Sequence, residues 1–148
     1  MFELLRRLFG KEEISEKTVR HSSKGDYTPG GRLKGGGHGQ EALDYMDKNG
    51  IQYNITKTYP NGVRVGNVPK HEQKRKRTGN NQSWFPRDWD RPTIKKAGQS
   101  VAKGKKLPDG KIKTARHKGV DVGIIRTGGK IATIFPMSEQ KSNRSKKK

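Results

Sequence analysis

Hydrophobic positions along the chain fall in short blocks between polar, glycine-rich stretches. Over 41–48, Ala42, Leu43, Tyr45 and Met46 supply the packing side chains of a predicted helix. Asn49-Gly50 stops it, because both residues tolerate the left-handed conformation at a helix end. Ile51, Tyr53 and Ile55 then alternate with polar residues, as in a half-buried strand. Val63, Val65 and Val68 follow beyond Pro60-Asn61-Gly62, which predicts a β-hairpin with Asn-Gly at its tip. A second helix is predicted after Asp90 as N-cap and Pro92 near its first turn, with Ile94, Ala97, Gly98 and Val101 at helical spacing. Lys111 opens a short strand, and 120–126 and 130–135 form a second hairpin around Thr127-Gly128-Gly129. The order is helix, hairpin, helix, hairpin. It predicts an α+β fold, an antiparallel sheet with two helices packed on one side.

The remaining stretches carry little apolar signal. Residues 1–9 suit a short helix with Phe2, Leu5 and Phe9 on one face, for docking on a partner or as the junction to a larger protein. Residues 11–34 read mostly as polar linker, residues 69–82 as a basic loop, and 137–148 as a basic, disordered tail. The expected folded domain is therefore 35–136.

Composition agrees with one small core. Of 148 residues only 27% are hydrophobic and 32% are charged. Lys and Arg number 34 against 14 acids, a net charge of +20, which favours a polyanionic partner and salt-dependent binding of nucleic acid. Acidic membranes and an acidic protein inhibitor are the rival partners. The absence of cysteine excludes disulfides and thiolate metal sites. Neither a signal peptide nor a run of roughly 20 apolar residues to span a bilayer is present.

Candidate chemistry centres on Gly35-Gly36-Gly37-His38-Gly39-Gln40. Glycines let the backbone approach a ligand closely, and an imidazole among them can act as acid or base. The stretch also precedes a helix N-terminus able to receive a phosphate. His71 lies beside Lys70, Lys74, Arg75, Lys76 and Arg77, a candidate phosphate-binding rim in which Lys76 or Arg77 neutralises a transition state. Trp84, Phe85 and Trp89 read as core, His21 and His117 as surface residues, and Thr133 as a polar position on an apolar strand. Histidine spacing and the lack of cysteine argue against a zinc site, and no Walker loop is present.

Four ordered motifs are similar to the bacterial EndoU nuclease domain: Gly35-Gly-Gly-His38-Gly-Gln, the run from Asn61 to His71, the run from Arg77 to Pro86, and the run from Gly129 to Pro136. The resemblance implies a barnase–EndoU–colicin–RelE type fold. It implies an endoribonuclease using two histidines, a lysine and a threonine to leave a 2′,3′-cyclic phosphate. No cofactor is required, with Mn²⁺ as a stimulant. Such domains are often the warheads of polymorphic and contact-dependent toxins. An RNA substrate such as tRNA, action in a target cell's cytoplasm and an acidic immunity protein are the implied setting. Thr133 falls on the family threonine and Phe135 on the aromatic position two residues later. The favoured histidine pair is His38 with His71; the rival is His21, followed by Gly25-Asp26-Tyr27, with His38. Relatives carry lysine where this chain has Gln82, so Lys76, Arg77 or Lys118 takes the cationic role. Gly37, Lys74, Arg75, Arg77, Gln82 and Phe135 are the expected substrate-binding residues. The alternatives are a non-catalytic basic nucleic-acid-binding protein and a DNase; the DNase is disfavoured because no carboxylate cluster suits metal ions.

Overall fold

The computed structural model describes residues 11–141. The helix read over residues 1–9 and the tail from 142 onward lie outside the described residues. In chain order the elements are α1 (Glu16–Ser23), β1 (Asp26–Tyr27), β2 (Leu33–Gly35), α2 (Gln40–Lys48), β3 (Asn54–Thr58), β4 (Arg64–Asn67), a 3-10 turn (Lys74–Arg77), β5 (Gln82–Trp84), α3 (Arg91–Ala102), β6 (Lys113–His117), β7 (Val120–Thr127) and β8 (Lys130–Pro136). The strands form three antiparallel sheets, β1-β2, β3-β4-β5 and β6-β7-β8. The α+β expectation holds, with three helices among the described residues where two were expected there and the strands divided among separate sheets.

The predicted helices form for the expected reasons. The Asp90 carboxylate accepts the Thr93 N–H at 3.0 Å and caps α3, while Pro92 sits in the first turn, where a missing N–H costs nothing. Ile94, Ala97, Gly98 and Val101 are the buried face of that helix. They join Val19, Phe85, Trp89, Val122, Ile124 and Ile134 in the larger core. Leu33, Leu43, Met46, Val68 and Trp84 form a second cluster. Trp84, Phe85 and Trp89 are thus core residues, as read from the sequence.

Residues 11–34 are not linker. Ser15 Oγ accepts the Thr18 N–H at 3.1 Å and starts α1. Thr18 Oγ1 donates to the Ile131 carbonyl at 3.1 Å, and Ser22 Oγ accepts the Ile134 N–H at 2.9 Å. With buried Val19, these positions form one helix face docked on β8. That face is held mainly by hydroxyls, so hydrophobic periodicity does not report it. The fold therefore begins well before residue 35.

Three smaller differences follow from packing. β3 is exposed along its whole length, Ile55 included, because it is the edge strand and burial falls on Val63, Val65 and Trp84 behind it. The basic loop contains the 3-10 turn and ends in β5, whose Gln82 pairs with Gly66 of β4. Residues 137–141 are held rather than loose: the Lys141 N–H donates to Asp121 Oδ2 at 2.6 Å, and Gln140 Nε2 donates to the Asp121 carbonyl at 3.0 Å.

Candidate active site

The C-terminal carbonyls of α1 have no helical partners, and the glycine run supplies them. Gly37, His38 and Gly39 donate their N–H groups to the carbonyls of His21, Ser22 and Ser23, at 2.9, 2.6 and 2.9 Å. Gly36 makes this approach sterically feasible. Its φ is +66°, and a Cβ there would lie 2.0 Å from the His21 carbonyl oxygen. On the other side, Gln82 Nε2 donates to the carbonyls of Gly36 and Gly37 at 3.2 and 3.1 Å. These contacts bring His21 and His38 onto adjoining backbone.

His21 Nδ1–H donates to Asp26 Oδ2 at 2.7 Å, and its Nε2 lies 3.2 Å from Thr133 Oγ1. The carboxylate orients the ring and fixes the proton on Nδ1 toward Asp26. Asp26 is placed by the β1-β2 pair, in which it faces Gly35.

His38 is 4% exposed and its Nδ1–H donates to the Ser83 carbonyl at 2.8 Å. A carbonyl only accepts, so in the neutral ring the proton is on Nδ1 and the lone pair on Nε2. Burial pushes the imidazole well below its usual range, and the nearby Lys76 charge pushes it further. The peptide around Ser83 is fixed in turn: Ser83 Oγ donates to the Pro136 carbonyl at 2.7 Å, and the Phe85 N–H donates to the His38 carbonyl at 2.7 Å. The half-buried Phe135 ring is tilted against His38, with centroids 5.9 Å apart. Burial, with the charge of Arg75 adding, brings the Lys76 ammonium down to about 8.

The other sequence candidates fall elsewhere. His71 is fully buried, with Nδ1 accepting the Gln73 N–H at 2.8 Å and Nε2 enclosed. Gln82 is also fully buried and serves the glycine run. The Gly37 N–H is occupied by His21, and Arg77 Nε donates to the His71 carbonyl at 2.7 Å. Lys74 and Arg75 are exposed on the 3-10 turn. Lys118 occupies the β6–β7 turn with φ +52°, beside His117. His117 is half-buried at the edge of Trp89 rather than on the open surface. The N-terminus of α2 is faced by Glu41, whose carboxylate accepts from Ser23 Oγ and from Arg91.

Two hydrogen-bond partners of these rings are not among the candidates that the sequence offers. Asp26 was visible only as the neighbour of the rival histidine. Ser83 acts through a backbone carbonyl, for which no sequence signal exists. Beside His21 opens a cavity of about 360 Å³, lined also by Asp26, Thr133, Lys17 and Lys130. Among the described residues no group of three or more His, Cys, Asp or Glu side chains could hold a metal ion. No helix there is long and apolar enough to cross a membrane.

Comparison with known proteins returns one family, the bacterial EndoU nuclease, whose model matches residues 15–138. The match spans His21, His38, Lys76 and Thr133, and includes α1. No curated protein and no solved structure matches the chain. The match covers most of the chain and decides between a nuclease and a non-catalytic basic protein: the chain belongs to the bacterial EndoU nuclease family, a family of RNA endonucleases.

Proposed function

We propose that the chain cuts RNA by internal transfer, with His38 as general base and His21 as general acid. His38 Nε2 takes the proton from the ribose 2′-hydroxyl, and the 2′ oxygen forms a bond to phosphorus. The bond from phosphorus to the 5′ oxygen breaks, and that oxygen takes a proton from His21 Nε2. The products are a 2′,3′-cyclic phosphate and a free 5′-hydroxyl. Lys76 stabilises the extra negative charge of the transition state, and Thr133 holds the phosphate beside His21. The observation that carries this reading is the glycine run, which binds α1 and sets a buried, neutral imidazole near an Asp-held one. It favours His21 with His38 over His38 with His71, because His71 has no exposed atom to offer a substrate.

No step requires a metal, so Mn²⁺ enters this reading only as a stimulant. RNA fragments made with the metal chelated are expected to end in 2′,3′-cyclic phosphate. Fragments ending in 3′-hydroxyl and 5′-phosphate would overturn the proposal. The reading extends to a structured RNA such as tRNA as substrate, and to a toxin acting in a target cell and neutralised by an acidic immunity protein. The support for that inhibitor is the charge of +20, which an acidic protein complements.

The Lys76 role has a pH signature. The ammonium is charged below about 8 and neutral above it, so its stabilising effect fades as pH rises. The ratio of kcat/KM between wild type and Lys76→Met is expected to be large at neutral pH and to fall through about pH 8. A pH-independent ratio would show that Lys76 acts without its charge.

A further inference from the structure

The cavity beside His21 does not reach His38. Its walls are Lys17 and Thr18 of α1, Asp26, Thr127, and residues 130–133 of β8. His38, Phe135 and Lys76 do not line it. It therefore opens on the side of the general acid rather than that of the base. Its volume of about 360 Å³ is at the small end for ligand pockets, the scale of one nucleotide rather than a folded element. Ile131 and Ala132 supply apolar wall, and Thr18 is held there by its bond to the Ile131 carbonyl. Lys17 and Lys130 are exposed residues of its lining, placed to meet an anion at its rim.

We propose that this cavity is the binding subsite for the leaving nucleotide, with Lys17 and Lys130 gripping the first phosphate downstream of the scissile one. The proposal rests on the reading of His21 as general acid. An acid that protonates the 5′ oxygen must stand beside the nucleoside that oxygen belongs to. The space adjoining His21 then receives that nucleoside, whose own 3′ phosphate is the next anion along the strand. Two lysines at this position attract it, and the Asp26 carboxylate, also in the lining, is engaged by His21.

The test uses the full chain and a short RNA carrying one cleavage site, mapped beforehand. Three forms of that RNA are compared: all phosphates charged, a neutral methylphosphonate at the first position downstream of the cut, and the same group at the first position upstream. In wild type the downstream replacement is expected to lower kcat/KM about tenfold, the scale of one lost charge-assisted contact. In Lys17→Met/Lys130→Met that penalty is expected to vanish, while the upstream penalty stays as in wild type. A wild type indifferent to the downstream charge overturns the subsite, as does a penalty that survives the double substitution. If both penalties fall together, the lysines provide only a general field and the subsite is likewise refuted. An enzyme that cuts no RNA defeats the functional reading itself, a result distinct from an active enzyme that ignores the downstream charge.

Discussion

Replacing His38 with alanine is expected to lower RNA cleavage by about 10²–10⁴-fold, the scale of a lost proton-transfer group, while RNA binding persists. Binding persists because most of the +20 charge lies elsewhere on the chain. His21→Ala is expected to cost a similar factor for a different reason, and a change of leaving group separates the two. A nucleoside 3′-(p-nitrophenyl phosphate) releases a phenolate that needs no proton. His21→Ala should recover most of its rate on that substrate, whereas His38→Ala should not, since the 2′-hydroxyl must still be deprotonated. Recovery by His38→Ala instead would exchange the two roles. Full activity in both variants would refute the pair. His71→Ala removes a fully buried ring, so its effect should appear as lost stability.

Gly36→Ala is expected to destabilise the protein by about 3 kcal/mol or more, lowering Tm by about 10 °C, and to abolish cleavage by what remains folded. Two costs combine. The left-handed backbone at φ +66° disfavours any Cβ, and that Cβ would lie 2.0 Å from the His21 carbonyl oxygen. The strand must move away, which breaks the Gly37-to-His21 hydrogen bond and separates the two imidazoles. Gly31→Ala is the control. Its φ is +85°, but nothing lies within 4 Å of the added methyl, so it carries only the backbone cost of about 1–2 kcal/mol. Calorimetric scans of the two variants measure the difference. Equal destabilisation would mean that the His21 approach does not hold the site together.

The legible parts of the fold were those written in apolar spacing or cap chemistry. The face of α3 and its Asp90 cap, the packing side of α2 and the second hairpin appeared where their patterns placed them, and the first hairpin formed with an exposed outer strand. The first helix did not. Its docking on β8 relies on Thr18 and Ser22 hydroxyls around a single buried valine, and such residues read the same in a solvated linker. The same gap bears on the two histidine pairings. In a segment that reads as linker His21 carries little weight, whereas the dense motifs that favour His71 in the sequence surround a buried ring in the fold.

From the sequence alone came the α+β class, the net charge that favours a polyanion, the likeness to the EndoU nucleases and the choice of His38 as a candidate. Each is carried by local signals: side-chain periodicity, summed charge, and residue types at short spacing. Tertiary structure alone decided which groups surround His38. Gly36 lacks a Cβ, so a backbone strand can satisfy the end of α1 and bring His21 alongside. Asp26, Thr133 and the Ser83 carbonyl then complete the hydrogen bonds of the two rings. Those partners lie on separate elements, and one of them is a peptide group that every residue possesses. Only close packing of the backbone distinguishes it from the rest.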